Sequence, residues 1–172
     1  MNHEESKLQQ QCVAWFRAQY PQYAMLLVHP INEGSGHSRT DRFRQGIHKA
    51  EGAVAGVPDL LLFLPNKTEA KFELKDGRDV IRTIWFHGLG IEFKTKKGTQ
   101  SQTQKDFERI FEAAGYIYTV MRSFEEFQIY INNWIKELPR EISGYIIDVY
   151  KAVIHEREEK EKEKFYKIIG KK

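Results

Sequence analysis

Two short strings in this chain place acids and a lysine where strands would bring them to one point. They are Gly56-Val57-Pro58-Asp59, ahead of an apolar run, and Ile91-Glu92-Phe93-Lys94, ahead of a basic, glycine-containing turn. Asp59 precedes Leu60, Leu61, Leu62, Phe63 and Leu64, a continuous apolar run of the length expected for a strand covered on both faces. Its carboxylate is therefore expected at a strand end. Glu92 and Lys94 are two apart, and the period of a strand puts both on one face while Ile91 and Phe93 point to the other. Phosphodiester hydrolysis needs such a set: carboxylates to hold Mg²⁺, and a cation to position the attacking water or offset charge on the phosphate.

A second Glu-x-Lys, Phe72-Glu73-Leu74-Lys75, lies closer to Asp59 and competes for the same role. Only Glu92 and Lys94 lead into a glycine turn, Thr95-Lys96-Lys97-Gly98, and then into a capped helix, whereas Lys75 leads into Asp76-Gly77-Arg78-Asp79, which reads as a hairpin turn. Glu92 and Lys94 are the preferred pair. Ser101 and Gln104 match a capping box at the start of that helix. Gln104 also shares a face with Phe107, Phe111 and Ala114, which would aim its amide at the sheet near Lys94.

These residues need strands and helices to hold them. A helix is expected from about Glu4 to Gln19, with Leu8, Cys12, Trp15 and Phe16 as its apolar stripe. Glu5 and Gln9 fall inside that stripe. A carboxylate aimed at a core is costly unless paired or metal-bound, so Glu5 is a third candidate acid; an N-terminal acid favoured by the helix dipole is the other reading. A strand around Met25 to His29 follows, then a polar loop from Asn32 to Ser38 and a basic helical stretch from Thr40 to Lys49. Residues 65–87 read as an inserted hairpin. After the motif strand come a helix from Gln102 to Ala114 stopped by Gly115, a strand from Tyr116 to Met121 and a helix from Phe124 to Glu137. Beyond Pro139, residues Ile142, Ile146, Val149, Tyr150, Val153 and Ile154 repeat at helical spacing ahead of a mixed-charge run.

The 172 residues, 41% of them hydrophobic, suffice for one well-buried core. A net charge of +3 permits nucleic-acid binding only if the basic residues cluster. One cysteine, Cys12, excludes an intramolecular disulfide and a cysteine-based zinc site, and the six histidines show no metal-ligand spacing. No apolar run approaches the length of a membrane span and the amino terminus has no signal-peptide core, so a cytoplasmic protein is expected.

In order along the chain, Glu5-x-x-Leu8-Gln9, Gly56-Val57-Pro58-Asp59-Leu60, Gly90-Ile91-Glu92-Phe93-Lys94-Thr95-Lys96-Lys97-Gly98 and Ser101-x-x-Gln104 resemble the VRR-NUC nuclease domain of the PD-(D/E)XK superfamily, in its stand-alone phage and bacterial form. The resemblance spans roughly residues 4 to 135. It implies an α/β fold with a restriction-endonuclease-like core, a central mixed β-sheet flanked by α-helices. That core would lie within residues 1–138, with a C-terminal helical extension over 139–172. It also implies a Mg²⁺- or Mn²⁺-dependent endonuclease acting on branched DNA such as four-way junctions. The implied metal ligands are Glu5, Asp59, Glu92 and the backbone carbonyl of Phe93; Lys94 would orient the water or phosphate, and Gln104 would support the site.

Around that centre, Arg39, Arg42, Arg44, His48 and Lys49 would form one basic wall of a DNA groove, or else a solvated helix face. Lys96 and Lys97 are further DNA-binding candidates. Asn32 is either a site residue or ordinary turn chemistry beside Gly34 and Gly36. The extension would pack on the domain or form a homodimer contact, which suits cleavage of two-fold branched DNA. The rival to an enzyme is a catalytically silent nuclease fold that binds DNA or a partner protein.

Overall fold

A computed structural model describes residues 3–30 and 50–169. The first helix, α1 (His3–Gln19), has Glu4 and Glu5 in its first turn and Arg17 in its last, both complementing the helix dipole. Its buried residues are Gln9, Cys12 and Phe16, so the apolar stripe faces inward with an amide inside it. The segment expected as a strand from Met25 to His29 is shorter than that. Pro21 starts a 3₁₀ helix, Pro21–Leu26, and only β1 (Leu27–Val28) is paired, with Leu27 opposite Leu62 and Val28 opposite Leu61. Proline favours the first turn of a helix. Tyr23, buried in that 3₁₀ turn and hydrogen-bonded through its hydroxyl to Ser143, keeps the segment coiled.

The other elements placed among the described residues include β2 (Leu60–Leu62), β3 (Asn66–Glu73), β4 (Asp79–Phe86), β5 (Leu89–Phe93), α2 (Gln102–Ala113), β6 (Ile117–Met121), α3 (Phe124–Lys136) and α4 (Arg140–Ile169). A four-stranded mixed sheet has the order β1-β2-β5-β6. β2 is antiparallel to β1 and β5, whereas β5 and β6 run parallel. The parallel step needs a crossover, and α2 supplies it. Ser101 caps α2 through a complete capping box, and Gly115, at φ +85°, ends it.

All five residues of β5 are buried, as a strand covered on both faces should be. On one face Ile91 and Phe93 join Leu60, Leu62, Phe16, Phe127 and Ile131 in the main core, under α1 and α3. On the other, Gly90 lets Pro58 and Phe111 of α2 close on the sheet, for a methyl group there would lie 2.9 Å from each. Among the described residues, strands β3 and β4 pair only with each other, as a separate two-stranded sheet in register from Asn66–Phe86 to Glu73–Asp79. The expected hairpin is present, with longer strands than the local runs suggested. Its base is tied down by Asn66, whose amide donates to the Trp134 carbonyl at 3.0 Å. Helix α4 begins directly after Pro139 and continues for 30 residues; Ile142 and Ile146 pack on the core, and Tyr145 and Val149 are exposed. No helix among the described residues is long and apolar enough to cross a membrane.

Candidate active site

The site begins with strand register. Leu60 lies opposite Ile91, and one more step along the same antiparallel pairing sets Asp59 against Glu92. The Phe93 amide donates to Asp59 Oδ2 at 2.8 Å, fixing that carboxylate across the strand end. Glu92 points to the α2 side of the sheet and is only 2% exposed. Its Oε1 lies 2.7 Å from Lys94 Nζ and accepts from Gln104 Nε2 at 2.5 Å, while Oε2 accepts from the Tyr118 hydroxyl at 3.2 Å. A carboxylate taken out of water is tolerable because it is paired and hydrogen-bonded on both oxygens.

Burial raises the pKa of Glu92, the charge of Asp59 raises it further, and Lys94 and Tyr118 oppose the rise. Asp59 is likewise raised, chiefly by burial; the Phe93 amide and Lys94 work against this, and Glu5 adds to it. Tyr118 is pushed upward too, first by burial and then by the charge of Glu92, so it remains a hydrogen-bond donor at neutral pH.

Gln104 unites two roles that the sequence offered as alternatives. Its Oε1 accepts from the Ser101 backbone amide at 2.8 Å, completing the capping box, while its Nε2 donates to Glu92. One amide therefore caps the helix and reaches the site. Its height above the sheet depends on Gly56. That residue sits at φ +89° against the first turn of α2, where a Cβ would overlap the Thr103 carbonyl and approach Gln104 N to 3.0 Å. Only glycine satisfies both the positive φ and the close approach.

Asp59 is also held through its main chain. Its carbonyl lies 2.7 Å from His29 Nδ1 and accepts from Gln9 Nε2 at 3.3 Å. The shorter contact makes Nδ1–H the donor, since a carbonyl can only accept. Glu5 approaches from α1, where its Oε1 accepts from the Thr95 amide at 3.1 Å. A groove of about 570 Å³ opens beside it, lined by Glu4, Glu5, Leu8, Lys94, Thr95, Lys96, Lys97 and Arg122.

Asp59, Glu92, Lys94 and Gln104 thus meet at the ends of β2 and β5. Phe93 belongs to the same strand end, and Glu5 reaches it through the Thr95 backbone. Glu73 and Lys75 are exposed, on or next to the separate hairpin, with Glu73 opposite Asp79. Lys96 and Lys97 are exposed along the groove. Asn32, Arg39, Arg42, Arg44, His48 and Lys49 lie outside the described residues.

Sequence reasoning missed four residues here. Tyr118 reaches Glu92 because parallel pairing sets Gly90 beside Tyr118 and Glu92 beside Val120, a register no local pattern reveals. His29 and Arg122 likewise act through contacts distant in sequence. Gln9 left a trace, as an amide inside an apolar stripe.

Among the described residues no three His, Cys, Asp or Glu side chains are grouped as the ligands of one ion. The chemistry of the donors nevertheless fits a hard divalent cation: two carboxylates, both raised in pKa by burial and one by the other's charge, supply oxygen ligands and negative charge in need of compensation.

No protein-family model matches this chain, and no curated protein matches it either. Among solved structures, a VRR_NUC domain protein is similar, with a TM-score of 0.56 and 19% sequence identity over 80% of this chain and 92% of that one. The mixed sheet flanked by helices, with the candidate residues at its strand ends, accordingly has the restriction-endonuclease-like α/β fold of that VRR_NUC domain protein.

Proposed function

We propose that this chain is a metal-dependent DNA endonuclease that hydrolyses phosphodiester bonds. The observation that supports this best is the convergence on one strand end of Asp59, Glu92 and Lys94, with Gln104 bridging from α2. Mg²⁺ or Mn²⁺ would be held by Asp59 and Glu92, with the Phe93 carbonyl and Glu5 as further oxygen donors. When bound, the metal supplies positive charge against the phosphate and makes water more acidic. The chain's own groups do the rest. Lys94, 2.7 Å from Glu92 Oε1, would point its ammonium toward the attacking water or a phosphate oxygen. Gln104 keeps Glu92 in one rotamer, and the Phe93 amide does the same for Asp59.

At a finer level, we take branched DNA such as a four-way junction as the substrate. A homodimer is the acting form, because a symmetric pair can cut two strands of a two-fold substrate. The exposed Tyr145 and Val149 on α4 support that pairing. Residues 1–138 are the nuclease unit and 139–172 its helical extension.

The test is cleavage of plasmid and four-way-junction DNA with Mg²⁺, Mn²⁺ or EDTA, comparing the wild type with Asp59→Ala and Lys94→Ala. Metal-dependent cleavage lost in both variants is expected. A wild type that cuts nothing, or an Asp59→Ala variant that cuts as well, would refute the enzyme reading and leave a binding module. Light scattering on the full chain and on residues 1–138 tests the dimer, and an unchanged oligomeric state would remove α4 from it.

A further inference from the structure

The turn after Lys94 is held from two sides, by Glu5 of the proposed site and by an arginine that the proposed catalytic set does not include. Arg122, directly after β6, donates from Nη1 to the Thr95 carbonyl at 2.6 Å and to the Gly98 carbonyl at 2.8 Å. Glu5 accepts the Thr95 amide from the opposite side, and the Gly98 amide closes the turn on the Thr95 carbonyl at 3.0 Å. Arg122 is itself anchored, since its backbone amide donates to Glu126 Oε2 at 2.7 Å, and the amide of Glu126 is capped by Ser123. Two residues of this turn, Lys96 and Lys97, are exposed along the groove that Arg122 and Lys94 also line.

An exposed lysine pair on a loose loop binds any anion weakly, because each contact must order the backbone as well as the side chain. A turn fixed at both ends removes the backbone part of that cost. Lys94, Lys96 and Lys97 bring cations to the groove from β5's end and the turn, and Glu4 and Glu5 bring acids to it from α1. A chain of regularly spaced negative charges leaving Lys94 along the turn would meet Lys96 and Lys97 next.

We infer that the Thr95–Gly98 turn is a clamp for nucleic-acid backbone phosphates flanking the one at Lys94, and that Arg122 is its positioning residue. This rests on the reading that DNA occupies these strand ends. Arg122 acts through the turn, holding two carbonyls with one planar group. Both bonds come from Nη1, and a lysine ammonium, one bond closer to the backbone, would sit short of that position.

The experiment is fluorescence anisotropy of a labelled DNA duplex with the full chain in EDTA, so that binding is measured without turnover, across a salt series. Lys96→Ala/Lys97→Ala, two exposed changes that leave the core untouched, should lower the slope of log affinity against log salt by about two, one per lost phosphate contact. Arg122→Met should lower it by a similar amount, and Arg122→Lys should fail to restore it. In the Lys96→Ala/Lys97→Ala background, Arg122→Met should change nothing further, because the two act through one turn. An unchanged slope in the double lysine variant overturns the clamp. Additive losses, or full rescue by Arg122→Lys, overturn the positioning role of Arg122. A chain that binds in this way but never cuts DNA would refute only the nuclease activity, whereas one that cuts normally with a salt slope indifferent to Lys96 and Lys97 would refute only the clamp.

Discussion

Lys94 and Gln104 converge on a single oxygen of Glu92: the ammonium lies 2.7 Å from Oε1 and the amide 2.5 Å from the same atom. With Lys94 only 13% exposed and Glu92 3% exposed at their side chains, this is a buried ion pair rather than a surface contact. Such a pair contributes little net stability, but losing one partner strands the other.

Replacing Lys94 with Met should therefore act on two observables. Cleavage should fall on the order of 100-fold or more, as when a group that stabilises developing charge is removed. The metal-free protein should also lose about 1–3 kcal/mol of stability in urea unfolding, because Glu92 is left in a buried site without its cationic partner. A variant with wild-type cleavage would remove Lys94 from the chemistry.

The raised pKa values of Asp59 and Glu92 set the sign of a pH dependence. Folding favours the protonated form of each, so their contribution to stability is fully present below the ordinary carboxylate range and is lost as pH rises through the elevated folded values. In EDTA, thermal midpoints of the wild type should drop relative to Glu92→Gln as pH climbs from about 4 toward 7. Mg²⁺ should recover part of that loss at pH 7 in the wild type and none in Glu92→Gln. Parallel melting curves for the two proteins in EDTA at every pH would contradict it.

Gly56→Ala tests how α2 is seated. A methyl group at φ +89° is strained in itself and would overlap the Thr103 backbone. The expected cost is about 1–3 kcal/mol, together with reduced cleavage as Gln104 moves away from Glu92. Calorimetry and a cleavage assay on the same sample check both, and normal values of each would show that α2 can shift without consequence.

The two Glu-x-Lys strings make opposite predictions. Glu73→Ala should leave cleavage within twofold or so of wild type, since an exposed strand-end residue is changed. Glu92→Ala should abolish it. The reverse result would mean that the hairpin contributes the catalytic acid.

Cys12 offers a probe independent of activity. Burial, with a smaller push from Glu125, takes its thiol up to about 12. It should resist thiol reagents at neutral pH in the folded protein and react at once in denaturant. Rapid labelling of the native chain would indicate that α1 opens.

Much of the candidate site was legible in the sequence because its grammar is local. A strand's alternation puts Glu92 with Lys94, an apolar run marks Asp59 at a strand end, and Ser101 with Gln104 spells a helix start within four residues. The same locality explains what was misplaced. Met25 to Leu26 looks like strand, yet Pro21 and the buried Tyr23 coil the segment.

Local pattern cannot rank Glu73 against Glu92, since both are acids two residues before a lysine in an extended run. Strand pairing separates them: β5 lies between β2 and β6, with Asp59 and Tyr118 on its flanks, and β3 pairs with β4 in a sheet of its own among the described residues. Gly56 against Thr103, His29 on the Asp59 carbonyl and Arg122 beneath the lysine turn belong to the same class. The residue types and their strand and helix positions follow from the sequence, because near-neighbour sterics and periodicity decide them. Which acids meet, and what holds them, follows only from the tertiary structure, because hydrogen bonds and burial at this site join segments far apart along the chain.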